Sequence, residues 1–327
     1  MFGFGYFATN LYWISISLTF DQNFKFLIPF TIFLIPAFLS LFYGLVSCIF
    51  LIFNFQRAII SLLTFSLIFS VIEFLRGSIL TGFPWNLVAF SFSNNLEILS
   101  VISILGTYGF NLLCITLFAC PAILILRDKK KDLLIFVIFI FAFISFYIFG
   151  LSYKEKFRYT DYNKFDYKIR VINSNISLER FYSNQEPSLI IKDLINISNP
   201  DKNKKTIFIW PEGIVPNTFQ KNINKYKKLF STSFNENHFL ILGINRQQTE
   251  NDLKRFFNSL SIYDNELNLL HSYDKINLVP FGEFLPAENF LKRIGLKTLT
   301  NNYQSFSRGD KRNIINFNQK NISIKIL

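Results

Sequence analysis

Three charged residues in the second half of the chain have the types and spacing for chemistry: Glu212, Lys275 and Glu283. Glu212 stands in Trp210-Pro211-Glu212-Gly213, directly after the apolar run "IFIW". A carboxylate on a turn at the carboxyl end of a strand is where α/β sheets place reactive groups. Lys275 closes a strand-like run, and Glu283 follows a Val-Pro-Phe-Gly turn in "YDKINLVPFGEFLP" (273–286). Such a set suits acyl transfer: a glutamate takes a proton from a nucleophile while a lysine ammonium stabilises the oxyanion of the tetrahedral intermediate. The turn then has a purpose. Pro280 stiffens it, Gly282 is free to take positive φ, and Glu283 is returned toward Lys275. A salt bridge beside a hairpin is the competing account of the same spacing. The set itself contains no nucleophile.

Other chemistries fit less well. Ser272 and Lys275 match Ser-x-x-Lys, but that chemistry needs the serine at a helix start, and both residues lie in a strand-like run. Neither Gly-x-Ser-x-Gly nor a Gly-rich phosphate loop occurs. Glu212 and Glu283 as glycosidase-style paired carboxylates would leave Lys275 without a role. Cys48, Cys114 and Cys120 lie in apolar segments that keep a thiol inert. His238 and His271 have no Cys or His partner at metal spacing, so neither a metal nor a cofactor is expected. The Asn-Ile-Ser sequons at Asn175, Asn196 and Asn321 follow from abundant Asn and Ser.

The elements that must position these residues fall into two parts. The chain has 327 residues, half of them hydrophobic and 42 of them Phe, a length that suits two domains. Residues 1–152 are nearly continuous apolar sequence, whereas 153–327 carry Lys, Asn and Asp throughout. A bilayer crossing takes about 20 apolar residues. Five stretches qualify: Phe2–Phe20, Phe26–Phe53, Ala58–Leu75, Leu96–Leu126 and Leu133–Leu151. The second and fourth are long, which implies tilt or a kink, and Pro29, Pro36 and Pro121 are tolerated there. Arg76–Asn95, with Gly82, Pro84 and Trp85, reads as a re-entrant or interfacial segment on the outer face. Glu73 and Arg76 can pair on one helix face.

Charge sets the expected orientation. Arg127–Asp132, "RDKKKD", carries four basic residues, and Arg57 marks a loop on the same face; both are expected in the cytoplasm. The last span then leaves the cytoplasm, and the domain after Ser152 is extracytoplasmic. The net charge of +12 accompanies heavy use of Phe, Ile, Asn, Lys and Tyr and follows from biased composition. No basic run is interleaved with aromatics on a recognisable module, so no nucleic-acid partner is expected.

In the second part, period-2 runs predict strands over 167–173, 205–211, 238–244, 258–264 and 267–275. Helical period predicts helices over 186–197 and about 219–231. "DNE" (264–266) reads as a hairpin turn and the terminal "NISIKIL" as one more strand. The alternation argues an α/β layered fold.

With these residues in hand, the chain resembles the apolipoprotein N-acyltransferases, integral membrane enzymes with a nitrilase-like domain. "FLRGSILTGFPW" (74–85), "WPEG" (210–213) and "YDKINLVPFGEFLP" (273–286) resemble that family's most specific blocks, and "FGFGYFATNLYWISISL" (2–18) resembles its third membrane helix. The resemblance implies an α-helical membrane domain (1–152), a linker (153–167) and a nitrilase-like αββα sandwich (168–327). It implies Glu212 as general base, Lys275 as oxyanion stabiliser and Glu283 as their assistant. Asn258 would line the pocket, and Pro84 and Trp85 would form part of a lipid entrance. Tyr182 corresponds loosely to a family tryptophan. The superfamily nucleophile is a Cys expected just beyond a strand such as "NISIKIL". Together with membrane helices expected before residue 1 and after the domain, this marks an internal fragment, inactive as it stands.

The implied reaction transfers an acyl chain from a phospholipid, phosphatidylethanolamine, through a Cys thioester to the amino group of diacylglyceryl-cysteine on an apolipoprotein. The implied location is a bacterial inner membrane with the nitrilase-like domain in the periplasm. A membrane-tethered carbon–nitrogen hydrolase and a non-catalytic lipid-binding remnant are the alternatives.

Overall fold

The computed structural model describes residues 1–327 except 20–21, 54, 56, 80–81, 127–128, 130–132, 161–165, 174–185, 216–217, 251–252, 281, 286–304, 312–313, 318–321 and 326–327. Tyr182, Phe281, Pro286, Asn175, Asn321 and most of the basic loop 127–132 lie outside the described residues. The chain divides into two compact units, Met1–Asp161 and Tyr162–Leu327.

In the first unit, four described helices are long and apolar enough to cross a membrane: Lys25–Ile52, Ala58–Ser78, Ile102–Ala119 and Leu133–Arg158. The stretch expected as a first span instead divides into the α-helix α1 (Phe2–Leu11) and a 3₁₀ helix (Tyr12–Thr19). Ser15, Ser17 and Thr19 each donate a hydroxyl hydrogen bond to the carbonyl three residues back, which favours the tighter turn. Two helices follow, α2 (Ile28–Ile52) and α3 (Ala58–Ser78). The expected span 96–126 is broken into α4 (Leu96–Leu99), α5 (Ile102–Ala119) and α6 (Ala122–Leu126). Gly106 sits at φ 70° inside α5. Pro121, which has no N–H to donate, stands at the break before α6. The last helix, α7, runs from Leu133 through Arg158, so the first residues of the expected linker are helical.

The second unit is built on a mixed five-stranded sheet in the order β1-β2-β3-β6-β7. β1 (Lys168–Val171), β2 (Thr206–Trp210) and β3 (His238–Gly243) run parallel; β6 (Ser259–Tyr263) and β7 (Leu269–Asp274) are antiparallel additions. All five lie where the period-2 runs predicted them. Alternation sorts the side chains to two faces. Phe208, Trp210, Leu240, Leu242 and Tyr263 join one core cluster with Ile190, Ile191 and Leu194 of helix α8 (Pro187–Ser198) and Phe230 of α9 (Lys227–Ser233). Ile207, Phe239, Ile241 and Ile262 form a second cluster with Tyr167.

Helix α8 begins with Pro187 in its first turn and ends at Asn199, which takes the left-handed conformation (φ 40°). The buried Trp210 indole donates to Ser198 Oγ at 2.9 Å, tying the helix end to the strand that carries Glu212. The predicted helix over 219–231 divides into a 3₁₀ turn (Gln220–Tyr226) and α9. The "DNE" hairpin closes around the Asp264 carboxylate, which accepts from the backbone N–H of Glu266 and Asn268.

Two hairpins depart from the sequence reading. β4 (Arg246–Glu250) and β5 (Leu253–Phe257) pair outside the main sheet. Their polar residues have no buried face to impose alternation, so no strand signal shows. The terminal strand β9 (Ile322–Lys325) exists, but it pairs antiparallel with β8 (Ile314–Phe317) in a separate two-stranded sheet.

Candidate active site

Glu212 is delivered by β2. The strand ends at Trp210, and Gly213, at φ 61°, turns the chain in a conformation that disfavours any side chain. Gly243, at the end of the neighbouring β3, makes this turn possible. A Cβ there would lie 2.5 Å from Glu212 Cα and 2.6 Å from the Pro211 carbonyl oxygen. Asn258 and Lys275 are placed by one ladder. Ser259 and Asp274 are register partners in the β6–β7 pair, and the Lys275 N–H donates to the Asn258 carbonyl at 2.9 Å.

Glu283 arrives by the turn that follows. Its N–H donates to the Val279 carbonyl at 2.8 Å, and its Oε2 accepts from the Val279 N–H at 2.7 Å. Reciprocal bonding between Val279 and Glu283 closes the turn.

The four side chains meet. The Lys275 ammonium donates to Glu283 Oε1 at 3.0 Å and to Glu212 Oε1 at 3.3 Å. Asn258 Nδ2 donates to Glu283 Oε1 at 2.5 Å and also to Glu212 Oε1. The two carboxylates differ in setting. The Glu212 side chain is 62% exposed and that of Glu283 11%. Both Glu283 oxygens are engaged, so it is an acceptor held in place, while Glu212 offers an open carboxylate. Burial by itself pushes the Lys275 ammonium down, but the Glu283 hydrogen bond and the charges of Glu212 and Glu283 outweigh it and the net shift is upward. The charged pairing is therefore fully present below the ordinary lysine range and is lost only as pH rises through the raised value. At neutral pH Lys275 is a cation and an unsuitable proton acceptor.

Ser272 is not part of the site. It pairs with Ser261 in the sheet, accepts from Gln220 Nε2 at 2.9 Å, and stands three strand positions from Lys275, on the opposite face. His238 is also structural: the buried ring stacks edge-on with Phe208 and Phe234 and bonds the Asp201 carbonyl at 3.0 Å. Pro84 and Trp85 belong to the first unit. Trp85 stacks on Trp13 with ring centroids 5.1 Å apart, and both rings are exposed.

Sequence reading missed a support behind Lys275. Arg246 on β4 forms a two-pronged ion pair with Asp274, at 3.0 and 2.6 Å, and lies 4.2 Å from the Phe257 ring centre. Ser259 Oγ donates to the same carboxylate at 2.5 Å. The segment 306–309 fastens the other side: the Phe306 N–H bonds the Glu283 carbonyl, Ser307 that of Phe256 and Gly309 that of Lys275. The available signal was the acid directly before Lys275. Its partner sits on a strand with no apolar pattern. Arg246→Ala should cost about 1.5–3 kcal/mol, the usual worth of hydrogen bonds to charged groups. A thermal-unfolding midpoint equal to wild type in detergent would show the ion pair to be idle.

Comparison with known proteins agrees with the resemblance. Residues 1–120 match the family model described as the apolipoprotein N-acyltransferase N-terminal domain. The chain is 28% identical over 322 residues to a protein of Brucella melitensis named apolipoprotein N-acyltransferase, covering 96% of this chain and 60% of that protein. Proteins of the same name from Brucella suis (28%, with 96% and 60% covered) and Rhodopseudomonas palustris (27%, with 95% and 60% covered) are similarly related. The chain thus spans about 60% of the length of these relatives.

Proposed function

We propose, with this similarity to the apolipoprotein N-acyltransferases as premise, that a protein carrying the chain moves an acyl group from a phospholipid to a lipoprotein. Phosphatidylethanolamine is the donor and a cysteine thioester the intermediate. The acceptor is the α-amino group of diacylglyceryl-cysteine on an apolipoprotein. The observation that supports this most is the meeting of Glu212, Asn258, Lys275 and Glu283, with Glu212 and Lys275 alone 63 residues apart in the chain.

In the first step Glu212 takes the thiol proton and the thiolate attacks the ester carbonyl. The Lys275 ammonium stabilises the oxyanion, and the lysophospholipid leaves with the proton returned by Glu212. In the second step the lipoprotein amine attacks the thioester. Glu212 takes a proton from the amine and the thiol is regenerated. Glu283 and Asn258 hold Lys275 and Glu212 at fixed points, and the buried Glu283 balances the ammonium without competing as a base.

The second unit in this reading is a nitrilase-like αββα sandwich. The sheet face bearing Ile207, Phe239, Ile241 and Ile262 packs on a second sheet. The apolar helices of the first unit lie in a bacterial inner membrane, where both lipid substrates reside. Residues 76–95 form part of the lipid entrance, with Pro84 and Trp85 at its edge.

The test uses a full-length protein carrying this sequence and a phospholipid labelled in its acyl chain. Label should accumulate on the protein in a hydroxylamine-sensitive bond and pass to a diacylglyceryl peptide when one is added. Release of free fatty acid or hydrolysis of a small amide, with no transfer, would instead indicate a hydrolase. A second expectation concerns orientation. A phosphatase reporter fused after Tyr153 should be active and a cytosolic reporter at the same point silent; the reverse pattern sinks the extracytoplasmic assignment.

A further inference from the structure

The first unit holds a set of polar side chains that the proposed chemistry does not use. Glu73 and Arg76 on α3 are paired at 3.4 Å, and both side chains are fully buried. Tyr43 on α2 donates to Glu73 Oε1 at 3.0 Å, and Asn111 on α5 donates to Glu73 Oε2 at 2.5 Å. An ion pair sealed in an apolar helical unit is expensive, and such groups persist where they hold something.

What they hold is the chain after α3. Arg76 Nη1 donates to the Phe83 carbonyl at 2.7 Å and to the Trp85 carbonyl at 2.9 Å. Asn111 Oδ1 accepts from the Ala89 N–H at 2.9 Å. Tyr6 on α1 donates to the Asn86 carbonyl at 3.0 Å, where Asn86 sits at φ 58°. The Phe83 N–H closes back on the Arg76 carbonyl at 3.0 Å. A non-helical segment among apolar helices must have its backbone groups satisfied by protein. Here side chains from three helices do it.

We infer that Glu73, Arg76 and Asn111 are positioning residues that clamp 83–89 into one shape and so set where the Trp13–Trp85 pair stands. Glu73 is the keeper: it accepts from Arg76 and from Asn111, so one carboxylate aims the Arg76 donor and the Asn111 acceptor at the segment. The consequence for lipid binding rests on the reading of 76–95 as the lipid entrance. The clamp itself does not.

Two readouts separate these levels. The first is the near-ultraviolet circular dichroism of the stacked indoles, taken as the part of the spectrum that Trp13→Phe removes. The second is KM for the phospholipid donor beside kcat. Arg76→Lys keeps the buried charge balance but has one nitrogen where the fork uses two, Nη1 on the Phe83 and Trp85 carbonyls and Nη2 on Glu73, so it cannot hold the carboxylate and the segment together. It should abolish the indole signal and raise lipid KM about tenfold to a hundredfold, the worth of hydrogen bonds to a charged group, with a much smaller change in kcat. Loss of the indole signal without a change in KM keeps the clamp and removes the lipid-entrance reading. An indole signal equal to wild type in folded Arg76→Lys overturns the clamp, whatever the kinetics. If that variant does not fold, Asn111→Leu, close in volume, takes its place with the same expected and overturning results.

Discussion

Lys275→Ala, in a full-length protein carrying this sequence, is expected to slow acyl-enzyme formation about 10²–10³-fold, the usual cost of removing one oxyanion donor. The ammonium lies 3.0 Å from Glu283 and 3.3 Å from Glu212, so one nitrogen serves both carboxylates from one point. Lys275→Arg should recover little, because a planar fork spreads its donors over several positions. Glu212→Gln should slow the same step about 10²–10⁴-fold, since an amide keeps the shape but cannot accept the thiol proton. Phospholipid binding should be unchanged in Glu212→Gln. The double variant should be little worse than the worse single, as expected of residues acting as a unit. The measurement is the time course of labelled acyl-enzyme. Normal formation of that species in Glu212→Gln, with only transfer to the peptide slowed, removes Glu212 as the base of the first step.

Gly243→Ala is expected to damage the site as badly as loss of a catalytic group, although residue 243 carries no functional atom. The new methyl would meet backbone at 2.5–2.8 Å, at Pro211 and Glu212, and backbone cannot swing aside as a side chain can. The Pro211–Glu212 turn must move. A displacement of about 1 Å at a catalytic group can cost on the order of 10²-fold in rate. Gly282→Ala is the control. It lies in the turn that leads to Glu283, yet a Cβ there meets Val279 at an ordinary 3.5 Å. The expected result is near-normal acyl-enzyme formation for Gly282→Ala and at least about a hundredfold loss for Gly243→Ala. Equal activity of the two variants would show that the turn carrying Glu212 yields freely.

Much of the molecule was legible without coordinates, for physical reasons that differ by region. The apolar half declares itself because a bilayer demands long runs of apolar residues. Its details do not, because span counting ignores hydroxyls. Ser15, Ser17 and Thr19 bond back to local carbonyls and convert the end of the first stretch to 3₁₀ helix. The inner strands β2, β3 and β6 were legible because each alternates between two buried clusters. β4 and β5 were not, because no core face imposes a period on them.

The candidate site divides in the same way. Residue type and local context determined which groups have the chemistry: a glutamate after a buried strand, a lysine closing another, and a second glutamate beyond a stiff turn. Only the tertiary structure decided that Asn258 bonds both carboxylates, that Glu212 is open while Glu283 is enclosed, and that Arg246 secures Asp274 beside the lysine. It also decided that Arg76 and Asn111 grip the backbone of 83–89. A sequence records what each side chain can donate or accept. Which partner it meets depends on strand order and helix packing, and these follow from burying two sheet faces and several helices at once, a condition no local window contains.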